Sequence, residues 1–151
     1  MDKLCIEQRL IDAVVKAVRE ECGVHSCTDG PTPESFTDAA LPAAWISETA
    51  YDLRVGEICF DPLLFPLLTM EIVLAYPCKR EGYERDGRRY RAAIESAMYR
   101  DETFGGLAVQ STYQGAVIGA SEQPGTGMVI STWQIEYQRL RKNPYKRHME
   151  E

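Results

Sequence analysis

A chain of 151 residues, 44% hydrophobic and 26% charged, has the make-up of one globular domain with a real core rather than a disordered segment. No run approaches the roughly 18 apolar residues that a membrane span needs, and the acids in Met1-Asp-Lys-Leu-Cys-Ile-Glu7 are unlike the basic start of a secretory signal, so a cytoplasmic site of synthesis and no membrane are expected. A net charge of -6 and a pI near 5.0 disfavour a dedicated nucleic-acid binder.

The first element is an amphipathic helix over residues 3–21. Ile6, Leu10, Val14, Ala17 and Val18 recur at helical spacing, and Gly23 is placed for a left-handed cap. Residues 24–41, rich in Ser, Thr, Asp, Gly and Pro, read as a long loop. Ala43–Ile46 is a short buried strand and Val55–Phe60 a second. Thr69–Tyr76 is a third, with Met70, Ile72, Leu74 and Tyr76 on one face and Pro66 and Pro77 bracketing it.

A charged loop then leads to Asp86, the expected N-cap of a helix running to Arg100, with Tyr90, Ile94, Ala97 and Met98 on its inner stripe. Gly105 and Gly106 end it. Two alternating strands follow as a hairpin around Ser121–Gly127. Leu107, Val109, Tyr113 and Val117 are expected on the apolar face of the first strand, and Val129, Trp133, Ile135 and Tyr137 on that of the second. The pattern predicts an α+β domain over 1–138: a mixed, mostly antiparallel β-sheet of four to five strands with two α-helices packed on one face. A basic tail, 139–151, closes the chain.

Charge is segregated: residues 1–78 hold 5 Lys and Arg against 13 Asp and Glu, and residues 79–151 hold 12 against 10. This suits copies set acidic flank against basic flank, or simply two solvated surfaces. Five cysteines, an odd number, disfavour a closed disulfide framework. Cys22, His25 and Cys27, with Cys78 or Cys5 as a fourth ligand, are the candidate metal set. They lack the paired short spacings of structural zinc, and the alternative is a loop histidine beside two ordinary thiols. A Cys-His nucleophile pair is conceivable in the same loop, whereas Ser35, Ser47 and Ser121 lack a nucleophile elbow. Gly105-Gly106 and Pro124–Gly127 are turns, too short for phosphate loops. Asp101-Glu102 sits at a helix C-terminus, where the dipole does not favour acids. The basic run Arg139, Arg141, Lys142, Lys146, Arg147 and His148 fits DNA phosphates, an acidic neighbouring subunit or a merely soluble terminus.

Taken together, the helix, the turn Asp101-Glu-Thr-Phe-Gly-Gly-Leu107, the hairpin and the closing Trp133-x-Ile-x-Tyr137 and Asn143-Pro144 resemble the tail terminator (tail completion) proteins of long-tailed bacteriophages, lambda's included. Phe104 stands where a leucine is usual, and Gln138-Arg139 follows Tyr137. The resemblance covers residues 3–145 in pattern and about 101–144 in letters. It implies a hexameric ring, built without catalysis or cofactor, at the head-proximal end of the virion's tail. The ring would stop tube polymerisation, join head or neck proteins and let DNA through its lumen. The candidate intersubunit or neck contacts are Arg88, Arg89 and Arg91 on the second helix and Arg139, Arg141, Lys142 and Tyr145 in the tail. Other readings stay open: a different head–tail connector, a small thiol- or metal-dependent enzyme, or a nucleic-acid-binding regulator.

Overall fold

The computed structural model describes residues 3–53, 63–79 and 82–147. Helix α1, Ile6–Cys22, buries Ile6, Leu10, Ile11, Val14, Ala17, Val18 and Cys22 at intervals of three and four, and closes on Gly23 at φ 64°. Its first amide finds no side-chain cap. The N–H of Ile6 donates instead to the carbonyl of Pro144 at 3.1 Å, so the end of the chain completes the start of the helix.

The expected loop 24–41 contains a strand. Segment β1, Ser26–Asp29, runs parallel to β2, Ala43–Leu53, with Ser26 opposite Ala43 and Asp29 opposite Ile46. It escaped the sequence pattern because four residues with one apolar side chain, Cys27, carry no period. Strand β2 continues well past Ile46, since Ser47–Leu53 is held by pairing with β4, Pro66–Pro77, across a bulge between Glu48 and Ala50. The two prolines are the end residues of β4 rather than its outer brackets. A two-residue strand, β3 (Leu63–Leu64), precedes it, and the strand expected at Val55–Phe60 lies outside the described residues.

Helix α2 spans Tyr83–Tyr99 and begins a turn earlier than expected, at Gly82; Asp86 lies in its first turn, where a carboxylate suits the dipole, and is not its cap. Strands β5, Ala108–Ala120, and β6, Thr126–Tyr137, form the hairpin. The main sheet has the order β1-β2-β4-β6-β5, antiparallel except for β1 with β2. Both helices cover one face: α1 and α2 share a core with Met70, Ile72, Leu74 and Tyr76 of β4 and Val129, Trp133, Ile135 and Tyr137 of β6. The expected α+β architecture is therefore observed.

Leu107 and Tyr113 face the core as expected, but Val109 and Val117 do not. Bulges between Ala108 and Gln110 and between Tyr113 and Gly115 each shift the register by a residue. Tyr113, Ala116 and Ile118 pack against the core, while Val109 and Val117 are 49% and 67% exposed. The opposite sheet face has a smaller apolar cluster at one end: Leu41, Ala43, Trp45, Val73 and Ala75. Phe36 from the long loop covers it, stacked on Trp45 at 5.5 Å between centroids. After β6 the chain stays on the body. Arg139–Leu140 forms β7 against β3, and the N–H of Leu140 donates to the carbonyl of Lys146 at 2.9 Å.

Candidate assembly surfaces

Arg88 and Arg89 of α2 face solvent, each in a different setting, and Arg91 does so only in part. Arg88 is exposed and 3.7 Å from Glu84; Arg89 is exposed, 3.9 Å from Asp86 and over the ring of Tyr90. Surface pairs of this kind are worth little, about 0–1 kcal/mol, so both side chains can exchange partners. Arg91 is half-buried and borders β5, where its charge acts on Tyr113. Burial, then the hydrogen bond and charge of Glu95, raise the Tyr113 hydroxyl pKa, and Arg91 opposes them.

The tail residues separate into two kinds. Arg141, Lys142 and Tyr145 are exposed, with the Lys3 ammonium 5.8 Å from the Tyr145 ring centre. Arg139 is turned inward and its side chain is only 15% exposed. It lies 3.8 Å from Glu7 and donates to the Tyr51 hydroxyl at 3.3 Å. The buried Tyr137 hydroxyl donates to the same Glu7 carboxylate, and burial, followed by that carboxylate, raises the Tyr137 pKa strongly. This group pins the first turn of α1 to the end of β6, a structural task that the run of basic letters did not reveal.

The Asp101 turn explains an acid at an unfavourable helix end. One Oδ atom accepts from the Thr103 N–H at 3.1 Å and its hydroxyl at 2.9 Å, and the other from the Gly105 N–H at 2.7 Å. These donors hold the Asp101 pKa below the usual carboxylate range. Phe104, Gly105 and Gly106 follow at φ 48°, 70° and 86°, which reverses the chain and seats the Phe104 ring in the core. The glycines supply the left-handed backbone, and Asp101 satisfies the amides it exposes.

Cys22 and Cys27 are buried, while His25 is exposed. Burial, with the neighbouring Cys27 and Glu21 charges, pushes the Cys22 thiol up to about 12. Burial pushes Cys27 up to about 11, against the opposing pull of Arg19. Thiols held neutral in this way are poor nucleophiles and poor metal ligands. Among the described residues no group of three or more His, Cys, Asp or Glu is arranged to hold a metal. A cleft of about 440 Å³ beside the hairpin turn is lined by Cys78, Tyr83, Ser121 and Thr126, with no histidine.

Two features were not singled out from the sequence. The first is that none of the five strands of the main sheet contains Lys or Arg, although they hold Asp29, Glu48, Asp52, Glu71 and Glu136. The second is that β5, an outer strand of 13 residues, has neither a charge nor a proline. A count of charge within each strand would have exposed both, once the strand bounds were known.

No family model and no curated protein matches the chain. Among solved structures, one match is to a chain of a particle described as "Virion of native gene transfer agent (GTA) particle". It has a TM-score of 0.39 and 11% identity over 89% of this chain and 92% of that one. A superposition that loose carries no functional argument.

Proposed function

We propose that this protein is a tail terminator of a long-tailed bacteriophage. Copies close into a ring, hexameric by the resemblance, on the head-proximal end of the tail tube. The ring ends tube polymerisation and offers a joining surface to head or neck proteins. A tube stops growing when its last ring presents one side that copies the tube's own interface and another that does not.

The observation that carries this reading is the free face of the main sheet. Helices cover one face; beyond the Trp45 cluster the other presents Gln110, Thr112, Thr132 and Gln134 with Glu71 and Glu136, and the strands that form it contain no Lys or Arg. Turned toward a lumen, such a surface lets DNA slide. Phosphates bind where Lys or Arg release their counterions, and these strands supply none to do so. The turn at Asp101–Leu107, on which the sequence resemblance rests, folds as a self-capped reversal and positions β5 for that face.

Three measurements test the reading together. Negative-stain microscopy with solution mass is expected to give rings. Purified protein is expected to bind the ends of tail tubes and stop their growth. DNA is expected not to be retained at physiological salt. A chain that stays monomeric at every concentration and leaves tube growth unchanged refutes the proposal. The α2 arginines are assigned to subunit or neck contacts. Arg88→Glu/Arg91→Glu is expected to weaken the ring, and unchanged assembly at both low and high salt refutes that assignment.

A further inference from the structure

The main sheet ends in two open backbone edges. On one side β5 pairs with β6 along one edge, and among the described residues no strand lies against the other. On the far side β1 covers β2 only from Ala43 to Ile46, and among the described residues no strand lies against the outer edge of Ser47–Leu53. Soluble proteins protect long edge strands with charges, prolines or brevity. Strand β5 uses none of the three. Of the seven exposed large apolar side chains among the described residues, four lie on these two edges: Tyr51 and Leu53 on β2, Val109 and Val117 on β5.

We infer that the open edge of β5 in one copy adds to the open edge of β2, Ser47–Leu53, in the next copy, so that the sheet runs continuously from subunit to subunit. This rests on the ring reading for its partner, a second copy of this chain. Charge selects the pairing. The open part of β2 carries Glu48 and Asp52 and no cation, so two β2 edges repel each other. Strand β5 carries no charge, so it does not repel the acidic edge. Pairing β5 with β5 about a two-fold axis would close a dimer and leave both β2 edges bare, whereas β5 with β2 covers both of these edges, leaves only the short outer side of β1, and propagates head to tail.

The test uses full-length protein and two exposed-site variants, each blocking one edge with charge: Val109→Glu/Val117→Glu on β5, which sets like charge against Glu48 and Asp52, and Glu48→Lys/Leu53→Lys on β2. Circular dichroism and thermal melts check that each folds as wild type does; if a double variant unfolds, Val117→Glu or Leu53→Lys alone replaces it. Each variant alone is expected to sediment at the monomer mass of 17.1 kDa. A 1:1 mixture is expected to assemble, because one intact β2 edge then meets one intact β5 edge, and the lysines of the other β2 edge meet the glutamates of the other β5 edge. A mixture that stays monomeric, or a variant that assembles as wild type does, overturns the edge pairing while leaving a ring possible by other contacts. Wild-type protein that never assembles refutes the ring itself.

Discussion

Gly127→Ala tests the packing on which the sheet end near α2 depends. Gly127 sits directly opposite Tyr76 on the neighbouring strand. A methyl group built on Gly127 would lie 2.5 Å from two ring carbons of Tyr76 and 2.6 Å from its hydroxyl oxygen, against a comfortable carbon–carbon separation of about 3.5–4.0 Å. The ring must therefore shift by roughly 1 Å, and it has nowhere to go. It is fully buried, its hydroxyl donates to the Tyr83 carbonyl, and Tyr90 packs on it at 5.0 Å between centroids. Gly87 of α2 lies beneath the same hydroxyl, with 2.7 Å between an added methyl and that oxygen. Replacing a strand glycine by alanine gains about 0.5–1 kcal/mol of backbone entropy. Overpacking costs about 1–3 kcal/mol, and a displaced, unsatisfied hydroxyl about 1–3 more. The net expectation is a loss of roughly 2–4 kcal/mol. For a chain of this size each kcal/mol moves the melting point by about 2–4 °C. Thermal melts and urea titrations followed by circular dichroism measure it. Adding Tyr76→Leu should recover part of the loss, and the double-mutant cycle should show strong coupling between the two positions. A Gly127→Ala protein that melts at or above wild type would refute the packing argument.

Other perturbations read other parts of the fold. Tyr137→Phe removes the buried donor to Glu7 and is expected to lower stability by about 1–3 kcal/mol in urea titration. The folded pKa of Asp101 is lowered, so its turn contributes stability above the unfolded value, about 3.9, and loses it as pH falls toward the lower folded value. Asp101→Asn is expected to weaken the protein at neutral pH and to flatten the fall in urea midpoint below about pH 4; an unchanged pH profile sinks the assignment. The folded pKa values of Cys22 and Cys27 are raised, to about 12 and about 11. Their burial therefore stabilises the protein fully below the unfolded thiol value, about 8.5, and less as pH climbs through those folded values. At pH 8 a disulfide reagent is expected to leave both thiols unmodified in native protein and to label them promptly in urea. Fast native labelling would refute their burial.

The elements that the sequence made legible are those whose burial is periodic. Helix α1 ends where Gly23 says it should, because seven apolar residues recur at helical spacing and one glycine takes a positive φ. Strand β4 as far as Glu71, and β6 from Gly127 onward, alternate because one side of each meets the helices, while Ile72–Tyr76 is buried on both faces where Val73 and Ala75 join the Trp45 cluster. What lacked a period was hidden. Strand β1 has one buried side chain, and the second half of β2 reads as Ser-Glu-Thr-Ala-Tyr-Asp-Leu and is strand only because β4 lies beside it. The candidate surface was partly visible. Arg88, Arg89, Arg141 and Lys142 are exposed as their helix and tail positions implied, but Arg139 is engaged with Glu7 and Tyr51 across 88 or more positions of chain, a contact no local pattern encodes.

By itself the sequence determined the α+β class, the end of α1 at Gly23, the glycine turns, and the absence of charge from 108–120, since these follow from local spacing and residue chemistry. The tertiary structure alone decided which residues of β5 face the core, because two bulges break its alternation, keeping Tyr113 inward as expected while turning Val109 and Val117 outward. It alone decided that β5 is an outer strand and that, among the described residues, the end of β2 has no strand beyond it, because strand order is fixed by long-range pairing and not by any neighbouring residue.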